Sequence, residues 1–183
     1  MAQLAADPDY QAKRAAIEEE MDRRDALWRE AEAPLVEDLR AAGFQVETAW
    51  DLVNTSDPYP DALPILLEHV QRDYPDRVKE GIASALAVRD AAFGWDVLKR
   101  EYQKATGPDT KQGLAAALSV TATRETENQL IELIDDPKNG GSRLLLLRGL
   151  RDLRTRRSRD TLDRLLTHEL LGKEARHLRR GGR

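Results

Sequence analysis

The residues of this chain that could do chemistry are few and scattered. His69, His168 and His177 are its three imidazoles. A zinc centre wants three or four ligands at close spacing, and the i, i+4 histidine pair of a zincin helix is absent. His168 and Glu169 stand near His177, but a plain solvated surface accounts for them. Cysteine is absent, which removes disulfides, thiol nucleophiles and thiolate metal sites. Ser119, Ser142 and Ser158 have no neighbouring base to activate a hydroxyl. Acid runs such as Glu18-Glu19-Glu20 and Asp135-Asp136 lie in polar surroundings, which do not raise a carboxyl pKa for acid–base work. No Gly-rich phosphate loop occurs. Asn139-Gly140-Gly141-Ser142 precedes a helix whose first N–H groups could hold an anion beside Arg143. An ordinary capped turn is the simpler reading. These residues point away from an enzyme, a metal centre and a cofactor.

Charge offers more. The formal net charge is −4. Residues 1–60 hold 14 acidic and 6 basic side chains, whereas residues 141–183 hold 5 and 13. An acidic head and a basic tail suit different partners. Arg154, Arg156, Arg157 and Arg159 crowd one loop between helices, and a second group runs from Arg176 to Arg183. Phosphate binding uses such clusters, because released counterions supply affinity. Yet no aromatic side chain is interleaved with them, and Asp152, Asp160 and Asp163 intervene. A negatively charged protein surface is an equal match.

The elements that must position these residues follow one period. Lys79 to Val88 reads KEGIASALAV, and Lys111 to Val120 reads KQGLAAALSV, 32 residues later. Leu66, Leu98, Leu130 and Leu162 keep the offset. So do Val70, Tyr102, Ile134 and Leu166; Ile82, Leu114, Leu146 and Leu178; and Leu86, Leu118 and Leu150. A fixed period with matched apolar residues marks a stacked repeat. Within each unit the apolar positions recur at i, i+3, i+4 and i+7, so the units are helical.

In chain order, residues 1–8 read as a loose terminus. A helix is predicted from Asp9 to Ala33, with a sparse stripe of Tyr10, Ile17, Met21 and Trp28. It is expected to cap the N-terminal end of the stack; docking of a partner or of a second copy of the chain is the alternative. Pro34 starts a new helix in this reading, and Gly43 stops it. A short helix follows over 47–53. Repeats then occupy 61–89, 94–121 and 126–154, each two helices with a turn at Tyr74-Pro75, Gly107-Pro108 or Gly140-Gly141. The fourth copy is incomplete and turns polar after Leu178. The domains are a cap region, 1–58, and a repeat region, 59–183, with three full repeats and one partial.

The second helices carry a resemblance. Pro75-Asp76-Arg77-Val78-Lys79 leads into Ala83-Ser84-Ala85-Leu86, and Pro108-Asp109-Thr110-Lys111 leads into Ala115-Ala116-Ala117-Leu118. This pattern resembles the short bacterial HEAT-like repeats, including those of phycobilin-lyase type, over residues 60–180. The third copy departs from it, with Gly141-Ser142-Arg143 and a leucine run. The resemblance implies an all-α, right-handed α-solenoid whose second helices line a concave face. On that face the non-core positions are Glu80, Gln112, Leu144 and Arg176; then Ser84, Ala116, Arg148 and Arg180; then Ala87, Ser119 and Arg151. Small arrays of this kind resemble scaffolds, adaptors and immunity-type inhibitors that hold a protein partner. Nucleic-acid binding through Arg143, Arg154, Arg156, Arg157 and Arg159 is the second expectation. A third, a lyase or chaperone for a prosthetic group, would need a deep apolar pocket. HEAT-like DNA glycosylases share the helices, but none of their catalytic residues is matched here. Without a signal peptide or a membrane-length apolar run, a cytoplasmic site of action is expected.

Overall fold

A computed structural model describes residues 8–181. The terminus expected over residues 1–8, apart from Pro8, and Arg183 lie outside the described residues. All regular elements among those described are helical, and no strand occurs. The α-helices are α1 Pro8–Ala41, α2 Ala49–Asn54, α3 Leu63–His69, α4 Asp76–Ala85, α5 Trp95–Lys104, α6 Pro108–Thr121, α7 Glu127–Asp135, α8 Arg143–Leu153, α9 Arg156–Arg164 and α10 Gly172–Arg180. Short 3₁₀ segments precede α3, α5 and α8 and follow α9. No helix among the described residues is long and apolar enough to cross a membrane.

The 32-residue offset is a spatial register. Leu66, Leu98, Leu130 and Leu162 are all buried, as are Ile82, Leu114, Leu146 and Leu178. Val70, Tyr102 and Ile134 are buried too, and Leu166 packs on the core from its edge. The even-numbered helices pack in a row: α2 on α4, α4 on α6, α6 on α8 and α8 on α10. Each is also backed by its neighbour in sequence, α3 on α4, α5 on α6, α7 on α8 and α9 on α10. The odd-numbered helices are tied by side chains about one period apart. The Arg100 guanidinium donates to Gln71 at 2.7 Å. Trp95 and Lys99 both donate to the Gln129 amide oxygen at 2.8 Å. Arg164 takes both oxygens of Asp135 at 2.9 Å.

Carboxylates from one unit also cap helices of the next. Glu32 accepts from the Ala49 amide at 2.6 Å at the start of α2. Asp76 accepts from the Asp109 and Thr110 amides at 3.0 and 2.9 Å at the start of α6. Glu127 accepts from the Thr155 and Ser158 hydroxyls at the start of α9. Gly107 makes the second contact reachable, because a Cβ there would lie 1.9 Å from the Asp76 carboxylate. First-turn amides have no partner within their own helix, so such a cap stabilises by about 1 kcal/mol.

Asp76→Ala is therefore expected to cost about 1–2 kcal/mol in urea denaturation. Burial alone would raise the Asp76 pKa, but the hydrogen bonds from Thr110 and Asp109 outweigh it and hold it below the ordinary 3.8. A depressed pKa gives stability that is present above 3.8 and lost as pH falls through the folded value. The acid end of the wild-type pH–stability curve should flatten in the alanine variant. Glu32 has the opposite sign. Burial raises its pKa against the Ala49 bond, so its contribution is lost as pH rises through the raised value.

One expectation is corrected at the N-terminus. Residues 8–41 form one helix, not two, and Pro34 sits inside it. Proline removes one i→i−4 bond, but its φ is already helical. Glu30, whose carbonyl loses that bond, is exposed and can be hydrated. Gly43 does end the helix, with φ +96°. The Phe44 amide donates to Leu39 and the Gly43 amide to Arg40, a Schellman stop. α1 packs on α3 and α4 at the first end of the row. Leu35, Val36 and Leu39 are buried there, while Tyr10, Ile17, Met21 and Leu27 in its first half are 47–61% exposed.

Candidate functional site

The solvent side of the even-numbered helices is a narrow strip on each. On α6, Gln112 and Val120 are exposed and Ala116 is half-exposed, at i, i+4 and i+8. On α4, Glu80 and Ser84 are half-exposed. On α8, Arg148 and Arg151 are exposed, and Leu144 is half-buried against the core. On α10, Arg176 and Arg180 are exposed. Two of the three expected rows thus lie on the surface of four helices packed side by side. The third breaks at Ser119. That residue is buried beneath α8, and its carbonyl lies 2.9 Å from where a Cβ of Gly149 would stand. Val120 takes the outward place and is 40% exposed. The i, i+4 spacing from Gln112 and Ala116 was the signal that could have found it.

Clefts open where these helices end. One of about 430 Å³ lies between α2 and α4, lined by Leu52, Val53, Tyr59, Ala87 and Val88. Another of about 360 Å³ lies between α6 and α8, lined by Ser119, Val120, Arg124, Gly149 and Leu153. A further cleft of about 430 Å³ lies between α8, α9 and α10, with Leu150, Leu162 and Leu178 as floor. Arg151, Arg154, Arg159 and Arg179 rim it.

The arginine cluster is partly neutralised. Arg179 binds Asp163 at 2.6 and 3.1 Å, Arg164 binds Asp135, and Arg151 holds Asp152 at 2.7 Å. Arg148 and Arg156 lie 4.0 and 3.8 Å from Glu174 and Asp160. Arg157 donates to Asn128, and Arg176 to the Leu166 carbonyl. Exposed pairs are worth at most about 1 kcal/mol, so a ligand could displace them. Their carboxylates offset part of the local positive charge. The side chains of Arg154 and Arg159, like that of Arg180, have no hydrogen-bond or ion-pair partner among the described residues. Arg154 ends α8 with φ +54°, in the left-handed region.

Arg143, the candidate anion contact beside Asn139-Gly140-Gly141-Ser142, is turned inward. Arg143 is buried and donates to the Gly140 and Ile134 carbonyls at 3.0 and 3.2 Å. Asn139 donates to Leu133, and Ser142 to Asn139, at 2.8 and 2.6 Å. These bonds turn the three side chains inward onto the end of α7, away from an open anion site. Gly140, at φ +53°, lets the chain make that turn.

The histidines are spread apart. His69 is fully buried between Asp38 Oδ2, 2.8 Å from Nε2, and the Tyr74 hydroxyl, 2.6 Å from Nδ1. A carboxylate only accepts, so Nε2 carries a proton, and the ring ties α1 to α3. His168 Nδ1 accepts from the Leu170 and Leu171 amides at 3.1 and 3.2 Å in the turn before α10. His177 is exposed on α10. Glu101 is buried among Lys79, Arg100 and Lys104, with N···O distances of 3.3–3.6 Å. Lys111 lies over the Tyr102 ring and donates to its carbonyl at 2.7 Å; burial lowers its pKa.

Comparison with models of known families, with curated proteins and with solved structures finds no match.

Proposed function

We propose that this chain is a non-enzymatic binding protein, built as a right-handed HEAT-like α-solenoid, that holds a protein partner across its even-numbered helices. The division into a cap region, 1–58, and repeats, 59–183, belongs to the same reading. One observation carries it. Small and polar side chains on α4 and α6 and basic ones on α8 and α10 form two rows on one surface, with exposed Val120 between flanking clefts. Ser84, Ala116 and Val120 would let a partner approach closely and lose its water. Arg148, Arg151, Arg176 and Arg180 would orient it from the rim. An adaptor or an immunity-type inhibitor acting in the cytoplasm is the role such a surface suits best.

Arg148→Glu with Arg151→Glu tests this. Both side chains are exposed, so the fold should survive, and partner affinity should fall about tenfold or more. Arg176 is a poorer probe, because its guanidinium holds the Leu166 carbonyl. Unchanged affinity in a helical variant would remove the arginine rim from the reading. The second reading, nucleic acid, draws on the free Arg154 and Arg159 and the exposed Arg156 and Arg157. It requires an affinity that falls steeply with salt, and Arg143 no longer contributes to it.

A further inference from the structure

The two ends of the helix row are opposite in charge, and each has a surface that no described residue covers. At the first end, about 24 residues of α1 precede Glu32, the first buried residue of the helix. They extend roughly 35 Å at the helical rise. Of their large apolar side chains only Trp28 packs against the core, whereas helices in proteins draw most of their stability from packing an apolar face. Tyr10, Ile17, Met21 and Trp28 are spaced 7, 4 and 7 apart, on the face that Leu35 and Leu39 bury further along. Asp25 borders that face, with Asp22 one turn before it, and neither has a partner among the described residues.

At the other end is the cleft between α8, α9 and α10. Its volume of about 430 Å³ accepts a side chain the size of Met or Trp. Its floor is leucine, and its rim is Arg151, Arg154, Arg159 and Arg179. Asp152 is the one carboxylate in the lining, and Arg151 already holds it at 2.7 Å. Arg154 and Arg159 keep no partner of their own. The net charges are opposite: residues 8–31 hold 7 acidic and 5 basic side chains, and residues 141–183 hold 5 and 13.

We propose that a second copy of this chain fills that cleft with its α1, so that copies associate head to tail. Met21 and its neighbours enter over Leu150, Leu162 and Leu178, while Asp22 and Asp25 meet Arg154 and Arg159. Such a contact joins two different surfaces. It therefore does not close at the dimer unless the rotation makes a ring. It uses the ends of the helix row and leaves the rows on α4 and α6 free for the partner of the reading above; Arg151 belongs to both surfaces.

Sedimentation velocity on the full chain, over a range of concentrations at low and high salt, tests it. Two variants accompany the wild type: Asp22→Arg with Asp25→Arg, and Arg154→Glu with Arg159→Glu. None of the four side chains has a partner to lose, so both variants should keep the wild-type helicity. The wild type should pass from monomer to dimer and larger species with concentration, and return to monomer in high salt. Each variant alone should associate at least about tenfold more weakly. Mixed, they should recover association with the two variants alternating, because the reversed head of one matches the reversed tail of the other and their two unchanged surfaces still match. A wild type that stays monomeric at low salt overturns the proposal. So does association that neither variant weakens, or a mixture that recovers nothing.

Discussion

Tyr102→Ala is expected to remove about 3–5 kcal/mol of stability, the cost of emptying a fully buried aromatic site. For a chain of this size that is a fall in Tm of roughly 10 °C. Tyr102 is the largest fully buried side chain among the described residues. It stands in the register of Val70 and Ile134, and its hydroxyl lies 2.7 Å from Ser142 Oγ. One side chain thus joins α5 to the turn before α8, two elements 40 residues apart. Lys111 rests on the ring at 4.2 Å and would lose that support. Tyr102→Phe separates the contributions. It keeps the volume and drops one hydrogen bond, so it should cost about 1 kcal/mol. Thermal denaturation of the two variants side by side reads the difference. A small loss in the alanine variant would mean that the row can close over the gap.

The second large effect is expected at Gly113. Helix propensity alone says that replacing a mid-helix glycine stabilises by up to about 1 kcal/mol. Packing says the reverse. A Cβ at 113 would lie 2.9 Å from the Glu80 carbonyl oxygen and 3.0 Å from the Ala83 Cβ, so the α4 backbone itself would have to move. Gly113→Val should therefore destabilise by about 3 kcal/mol, at the upper end of overpacking costs. Gly141→Ala is the control. Nothing lies within 4 Å of its Cβ position, and the change should stay within about 0.5 kcal/mol. Similar close approaches occur at Gly81, against Trp50, and at Gly149, against Ser119 and Leu130. Each junction in the row from α2 to α8 thus has one glycine that sets how near the helices come. A stabilised Gly113→Val would show that the junction is looser than these distances.

The repeat was legible because burial is periodic. Leucines at one offset must face one core, and Leu66 through Leu162 do. The glycines were legible only in part. Gly81 and Gly113 keep the 32-residue offset, but Gly149 stands 36 after Gly113, one helical turn later. There α8 meets α6 at the Ser119 carbonyl, and Ser119, which a strict register places at the surface, is buried. Pro34 misled for a local reason. A proline at a first helical turn and one inside a helix look alike in sequence, and what decides is the stripe continuing from Trp28 to Leu35. The cross-unit caps were not legible at all. Asp76 reaches the α6 amides only because α4 and α6 lie side by side, and Arg143 is consumed only because α7 ends beside it. A basic or acidic side chain states its charge in the sequence; its partner is settled by packing.

The most direct test of the binding reading is affinity capture from nuclease-treated lysate of the source cells. Wild-type chain is compared with chain carrying Ala116→Arg and Val120→Asp. Both changes lie on the outward strip of α6, away from the core, and equal helicity of the two baits is checked first. The account predicts a protein that wild type retains after nuclease and that the variant loses. Recovery that collapses with nuclease, or that is identical for the two baits, would contradict it.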